Sequence, residues 1–346
     1  MRRFPLAALA AAIALIGAAC GFGESAPDEI VLVTHGSFAV SEGTLEAFTE
    51  ESGVPVTVLQ SADAGTMVNQ AILTKDNPIA DVLYGVDNTF LSRAIAEDLF
   101  IPYAASQLDR VPDSLRQPDN HVTPIDFGDV CINLDLIELD DRGLDLPQRL
   151  TDLADPAYRD VLVVEDPSTS SPGLAFLLAT ISVFGEDGEY PWQAYWRDLV
   201  ANDVQIVPGW EQAYYGEFSG GSGEGDRPIV VSYATSPVAE VYFGDLATAP
   251  TAIVDDGCFV QIEYAGILRG TEAESGARQL VDFLLATTFQ NDIPLNMFVY
   301  PVNEDAQLPE VFVEFATYPA EPIEMDPATI DANRERWLAE WATTVR

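Results

Sequence analysis

The chain has 346 residues, 48% of them hydrophobic, and a formal net charge of −40 at pH 7. This hydrophobic fraction excludes an acidic disordered chain, and the charge excludes nucleic acid as a partner because phosphates would be repelled. A cationic solute would be attracted by the same field, and the length predicts two lobes rather than one small core.

The N-terminus has the pattern of an export signal. Two arginines precede an apolar run over residues 5–16, which is too short to span a bilayer. Small residues then precede Cys20, which predicts a lipoprotein signal peptide over residues 1–20 with Cys20 as the lipidated first residue of the mature chain. Plain secretion is the alternative. Residues 21–29 are small and polar and predict a flexible tether.

Strand and helix patterns alternate along the rest of the chain, which indicates an α/β protein. The predicted strands cover residues 30–34, 56–59, 81–85, 122–136, 161–164, 204–207, 229–233 and 259–268. The predicted helices cover residues 41–51, 64–73, 88–97, 173–184, 192–199, 211–218, 275–287 and 326–345, with Ser41, Asp63 and Asp326 as caps. Residues 219–227 predict a surface loop, and residues 303–325 predict mostly irregular chain.

This arrangement predicts two lobes joined by more than one crossover, with a ligand cleft between them. We expect lobe 1 to comprise residues 30–125 and 237–302. Lobe 2 would comprise residues 126–236 and 303–346, including the C-terminal helix.

Cys131 and Cys258 are the cysteines other than Cys20. Export makes a disulfide between them feasible, but each lies in a strand-like apolar run, so two buried thiols are an equal alternative. With two histidines and no close cysteine pair, the sequence contains no zinc pattern.

Five segments resemble the thiamine-binding periplasmic protein family. They are ADVLYGVDN at 80–88, DPSTSSPGL at 166–174, GWEQAY at 209–214, VSYATSP at 231–237, and FQNDIP with YPV at 289–294 and 300–302. They occur in the family's order and spread over nearly the whole mature chain. The resemblance implies a two-lobed type II periplasmic-binding-protein fold, related to the ferric-binding proteins, and no catalysis.

The resemblance also implies a role. The chain would be the solute-binding lipoprotein of an ABC importer, a monomer that delivers its solute to ABC permease and ATPase subunits. It would be held by lipid on the outer face of the cell membrane or lie in the periplasm. No cofactor or metal is implied, and the ligand would be thiamine, thiamine monophosphate or thiamine diphosphate.

Ligand contacts can be carried over from the family to matching positions. They are Asp63, Ser170, Ser171, Trp210, Tyr233, Thr235 and Ser236. Aromatic faces suit the ligand's rings, a π face or carboxylate suits its thiazolium cation, and N–H groups at a helix start suit a phosphate. Each residue also has a purely structural explanation, as a helix cap, as core packing or as part of a turn.

The chain departs from the family pattern around this site. His35 replaces an expected aromatic residue, Glu42 and Phe298 replace expected tryptophans, and Ala239 replaces a tyrosine for which the nearby Tyr242 could substitute. We hypothesise that Glu42 pairs with the thiazolium. Asp87, at a strand end, completes the further candidates His35, Glu42, Asp87, Tyr242 and Phe298.

Three other functions are alternatives. Ferric iron on the same fold would use Tyr214 and Tyr215, although adjacent helical side chains diverge by about 100°. A hydrolase is disfavoured because the run GGSGE at 220–224 is not a nucleophile elbow. A purely structural or adhesive surface protein would not need a lined cleft.

Overall fold

The computed structural model describes residues 29–221 and 223–346. The predicted signal peptide, the lipidation site Cys20 and tether residues 21–28 lie outside the described residues. Within the described part, no helix is both long and apolar enough to cross a membrane.

The described residues form a mixed α/β structure. Its strands are β1 (Ile30–Thr34), β2 (Val56–Gln60), β3 (Val82–Asp87), β4 (Phe100–Ile101), β5 (Thr123–Asp135), β6 (Leu162–Glu165), β7 (Gln205–Val207), β8 (Ile229–Tyr233), β9 (Thr251–Leu268) and β10 (Tyr300–Pro301). Its α-helices are α1 (Thr44–Ser52), α2 (Ala64–Leu73), α3 (Leu91–Ala96), α4 (Leu136–Asp141), α5 (Ser171–Phe184), α6 (Trp192–Ala201), α7 (Ser236–Gly244), α8 (Glu274–Leu285), α9 (Thr287–Gln290), α10 (Ile293–Asn296), α11 (Glu310–Phe315) and α12 (Pro327–Thr344). Short 3-10 helices cover Leu108–Arg110, Asp113–Leu115, Leu150–Ala154 and Pro156–Tyr158, and a π-helical turn covers Gln212–Glu217.

The strands join in one sheet of order β2-β1-β3-β9-β5-β8-β6-β7, with β4 added to β9 and β10 added to β5. Strands β1, β2 and β3 are mutually parallel, and so are β6, β7 and β8. We call these groups the β1–β3 side and the β6–β8 side. The long antiparallel strands β5 and β9 lie between them and connect both sides. The predicted α/β class is confirmed.

A disulfide bond joins the two central strands. Cys131 on β5 and Cys258 on β9 are bonded, with their Cα atoms 4.4 Å apart, and both residues are buried. Of the two alternatives left open by the sequence, the structure therefore contains the disulfide.

Helix α1 starts later than its sequence pattern predicts. The predicted cap Ser41 donates its backbone N–H to Asp292 Oδ2 over 2.8 Å, which ties it to a different part of the chain. Gly43 occupies the cap position instead, with φ of 94°, and its N–H donates to the carboxylate of Glu46 over 3.0 Å. A left-handed turn that glycine adopts without strain thus sets the first residue of the helix.

Three further boundaries differ for identifiable reasons. Strand β9 begins at Thr251 rather than residue 259, because the ladder with β5 continues across an irregularity near Gly257. Helix α3 begins at Leu91 rather than residue 88, because Asp87 Oδ1 accepts the N–H groups of Thr89 and Phe90 in a preceding turn. Residues 303–325 contain helix α11, which packs on α7.

The C-terminal helix forms as predicted. Asp326 Oδ2 accepts the N–H of Thr329 over 3.2 Å, and Pro327 occupies the first turn. Ile330, Trp337 and Trp341 are buried. Burial of three large apolar side chains is worth several kcal/mol and holds this helix on the body of the protein.

Candidate functional site

A cleft of about 360 Å³ opens between the two sides of the sheet. Its volume falls within the range of roughly 300–1,000 Å³ that is usual for small-molecule sites. Polar and aromatic side chains reach it from loops that follow β1, β2, β6, β7 and β8, where ligands usually bind in open parallel sheets. Seven of the sequence-predicted residues line it: His35, Asp63, Ser171, Trp210, Tyr233, Ser236 and Phe298.

Asp63 connects the two sides of the cleft. Its Oδ1 accepts the N–H of Ala64 over 2.7 Å, which confirms the predicted cap of α2, and its Oδ2 accepts the N–H of Trp210 over 2.8 Å. A Cβ atom on Gly209 would lie 2.8 Å from the same Oδ2, so glycine permits this approach. Burial raises the pKa of Asp63, and the two backbone donors oppose that change.

Four aromatic rings form one wall of the cleft. Trp210 stacks on Tyr214 with ring centroids 5.1 Å apart, and Tyr215 and Tyr233 meet it edge-on at 5.4 Å and 6.3 Å. The indole Nε1 of Trp210 donates to Ser232 Oγ over 2.9 Å, which fixes the orientation of its ring. The wall therefore offers π faces in a fixed arrangement.

The predicted helix at 211–218 is π-helical, a form that occurs frequently at functional sites. Both Tyr214 and Tyr215 line the cleft, and their rings meet edge-on with centroids 5.5 Å apart. The hydroxyl of Tyr214 donates to the carboxylate of Glu240. Burial, with Glu211 and Glu240 nearby, raises the pKa of Tyr215.

A buried ion pair also lines the cleft. His35 Nε2 lies 3.3 Å from Glu263 Oε2. Burial alone would lower the pKa of His35, but Glu263, with Asp63 and Asp126 farther away, raises it to about 9. His35 is thus an imidazolium at neutral pH, and its partner carboxylate also accepts a hydrogen bond from Gln261 Nε2 over 3.2 Å.

Gly85 makes room for the histidine ring. Its φ is 103°, and a Cβ atom there would lie 2.3 Å from His35 Cδ2. The imidazole therefore fits where only glycine leaves space.

Several hydroxyl groups at the starts of α5 and α7 form hydrogen bonds within the protein. Ser170 Oγ accepts the N–H of Gly173 over 3.4 Å, and Ser236 Oγ accepts the N–H of Tyr233 over 3.2 Å. The hydroxyl of Thr235 donates to the carbonyl oxygen of Phe298. Ser170 and Thr235 are fully buried and do not line the cleft, whereas Ser171 and Ser236 do.

The other candidates lie outside the cleft. Glu42 is exposed on the loop before α1. Asp87 is buried at the end of β3, where burial raises its pKa to about 6 while Ser171 and Thr89 partly oppose the rise. Tyr242 is half-exposed and packs on Phe298 with centroids 6.1 Å apart. The next residue of α7, Phe243, lines the cleft in its place.

Sequence reasoning missed several lining residues. They include Phe38, Glu211, Phe243 and Glu263, besides Tyr214 and Tyr215, which we considered only as iron ligands. Glu211 follows Trp210 directly, so the prediction of Trp210 as a ligand contact could have indicated Glu211 as well. Glu263 lies within a strand and carries no comparable sequence signal.

Comparisons with known proteins agree with this geometry. A family model described as bacterial extracellular solute-binding protein matches residues 77–317. The thiamine-binding periplasmic protein of Escherichia coli K12 is 29% identical over 321 residues, which cover 91% of this chain and 93% of that protein.

Solved structures share the architecture. A periplasmic thiamin binding protein superposes with a TM-score of 0.82 at 27% identity, covering 92% of this chain and 96% of its own. A ferric binding protein from Campylobacter jejuni superposes with a TM-score of 0.70 at 17% identity over 91% and 99% of the two chains, which shows the fold alone. The predicted two-lobed type II fold and the resemblance to thiamine-binding periplasmic proteins are both confirmed. This chain therefore belongs to the family of bacterial extracellular solute-binding proteins.

Proposed function

We propose that this protein binds thiamine or a thiamine phosphate in the cleft and delivers it to an ABC permease. The observation that carries the proposal is the placement of an aromatic wall beside carboxylates. Trp210 and Tyr215 present ring faces and edges, while Asp63, Glu211 and Glu263 supply negative charge. A flat aromatic cation satisfies both features, because its rings stack and its charge gains from π faces and carboxylates.

The proposal also includes the location of the protein and its attachment to the membrane. Export through residues 1–20, lipidation at Cys20 and a monomeric state would place the protein outside the cell membrane beside its permease and ATPase. The periplasmic relatives support export, and the Cys20 pattern supports the anchor. Radiolabelled palmitate incorporation into the wild-type chain, but not into a Cys20→Ala variant, would test the anchor.

Calorimetric titration of the full chain with thiamine and its phosphates tests the binding proposal. We expect Trp210→Ala to weaken binding about tenfold or more, because the main ring contact is lost. Tyr190→Ala, which removes a partly exposed aromatic ring that does not line the cleft, is the matched control and should leave affinity unchanged. A wild-type chain that binds none of the three compounds would refute the proposal.

Ferric iron is the alternative solute. Tyr214 and Tyr215 both line the cleft and favour it. Against it, the Tyr214 hydroxyl donates to Glu240, and the raised pKa of Tyr215 opposes the phenolate that ferric ion needs. A tyrosinate-to-iron absorption band after addition of ferric citrate would favour this alternative over thiamine.

A further inference from the structure

The carboxylates that line the cleft differ in how they are bound. Among the described residues they are those of Asp63, Glu211 and Glu263. Both oxygens of Asp63 already accept backbone N–H groups, and Glu211 is exposed to solvent. The side chain of Glu263 is only 11% exposed, and the positive group beside it is His35. A cation that reaches Glu263 would gain the most, because burial weakens the screening of this charge by water.

His35 occupies the place of a cation beside this carboxylate. Its Nε2 lies 3.3 Å from Glu263 Oε2, and both side chains line the cleft. No other described residue that lines the cleft is basic. The imidazolium is therefore the protein's own counter-ion for Glu263, at a point that a ligand can approach.

A short chain of hydrogen bonds connects Glu263 to the aromatic wall. Gln261 Nε2 donates to Glu263 Oε1 over 3.2 Å and to the hydroxyl oxygen of Tyr233 over 2.9 Å. Tyr233 in turn meets Trp210 edge-on at 6.3 Å. A planar cation that stacks on this wall would therefore come close to Glu263 and to the imidazolium beside it.

Other ionisable groups surround His35, and they are Asp63 before α2, Tyr84 on β3, Asp126 on β5, Glu211 in the π-helical turn and Tyr233 on β8. Burial raises the pKa of both tyrosines well above its ordinary value, so their hydroxyls are neutral. None of these neighbours takes a positive charge. The imidazolium is thus the group whose proton an entering cation repels.

Repulsion between the two cations has a predictable size. Two positive charges roughly 7 Å apart in a partly buried site repel each other enough to lower the pKa of the imidazolium by about one to two pH units. Binding of the cation and retention of the proton therefore oppose each other.

We propose that Glu263 is the counter-ion for the ligand's cation, and that entry of the cation expels a proton from His35. The proton passes to solvent, and the neutral imidazole stays in the cleft. This inference rests on the proposed function, because it requires a cationic ligand such as thiamine. It adds that the ligand and a proton compete for one carboxylate.

Calorimetric titration of the full-length chain with thiamine, in two buffers of different ionisation enthalpy, measures this proton. At about pH 8 we expect binding to release about 0.4–0.7 proton per site, because His35 is mostly charged before binding and at least half neutral afterwards. The affinity should rise about three- to eightfold between about pH 6.5 and about pH 8.5. Thiamine binding without proton release would overturn the inference and leave the proposed function intact. A chain that binds neither thiamine nor its phosphates would overturn both.

The two histidines of the chain provide a matched pair of variants. His35→Gln should bind thiamine without releasing a proton, since glutamine can donate a hydrogen bond to Glu263 but does not titrate. His121→Gln, whose side chain does not line the cleft, should release as much as wild type. Release that persists in His35→Gln would assign the proton to another group, such as Asp126, and overturn the inference.

An NMR titration of the wild-type chain observes the same group without a substitution at His35. The imidazole midpoint of His35 should lie at about 9 in the free protein and fall by about one to two pH units when thiamine saturates the cleft. The His121→Gln variant assigns the His35 signal by elimination. A midpoint that thiamine does not change would overturn the inference.

Discussion

The carboxylate of Asp63 accepts the backbone N–H of Trp210 over 2.8 Å, although the two residues are 147 positions apart and belong to opposite sides of the cleft. The same carboxylate caps α2 through Ala64. One side chain therefore fixes a helix start on the β1–β3 side and the approach of the aromatic wall from the β6–β8 side.

Asp63→Ala should lower both stability and affinity. Loss of the cap costs about 0.5–2 kcal/mol of unfolding free energy, and loss of the contact with Trp210 frees the aromatic wall. Denaturant unfolding and calorimetric titration with thiamine measure the two effects. Asp326→Ala is the matched control, because it removes a cap from α12, far from the cleft. The Asp326→Ala variant should lose a similar amount of unfolding free energy and keep its affinity for thiamine. An equal loss of affinity in both variants would contradict the role of Asp63 in joining the two sides of the cleft.

The His35–Glu263 pair should make stability depend on pH. The pKa of His35 is raised from an ordinary value of 6.5 to about 9, so the protonated ring stabilises the folded state. This contribution, on the order of 3 kcal/mol, is fully present below pH 6.5 and is lost as the pH rises through 9. The difference in unfolding free energy between wild type and His35→Gln should shrink over that interval. A difference that stays constant from pH 6 to about pH 10 would show that the ring is not charged in the folded protein.

Gly85→Ala should displace the histidine ring. Its added Cβ would lie 2.3 Å from His35 Cδ2, and φ of 103° strains any residue with a side chain. Gly53→Ala is the control, because its φ of 75° carries strain but no atom lies within 4 Å of the new Cβ. Both variants should lose about 1 kcal/mol from strain. Only Gly85→Ala should also abolish the high midpoint of the His35 imidazole in an NMR titration.

The disulfide should contribute substantially to stability. Cys131 and Cys258 close a loop of 127 residues, and cross-links of this kind contribute about 2–4 kcal/mol, mainly by restricting the unfolded chain. A Cys131→Ala, Cys258→Ala double variant should unfold at correspondingly lower urea concentration. Dithiothreitol should destabilise wild type by a similar amount and leave the double variant unaffected. An unfolding free energy of the wild type that does not change with the reductant would show that the cross-link contributes nothing to stability.

The sequence predicted elements best where local pattern and tertiary structure agree. Strand β1, strand β8 and helix α2 were predicted residue for residue, because each has a clear apolar run with a defined cap or turn. The start of α1 could not be predicted, since Asp292, far along the chain, binds the N–H of Ser41. The π-helical turn after Trp210 likewise needs tertiary contacts to exist.

The residues of the candidate site also differ in how well the sequence predicts them. Asp63 and Trp210 lie at the starts of helical segments, where sequence patterns indicate both capping and ligand binding. Glu263 lies inside β9 and alternates with polar Gln261, so the sequence alone does not indicate a buried carboxylate. Its role depends on His35, which lies in the loop after β1. Pairings of this kind arise only when distant segments fold together.

The two central strands β5 and β9 are both hydrogen-bonded neighbours and covalently joined at Cys131 and Cys258. Sliding of one strand along the other would require the bond to break, so the two must bend and twist as a single ribbon. Any widening of the cleft must therefore leave the pairing of these two strands at the disulfide unchanged.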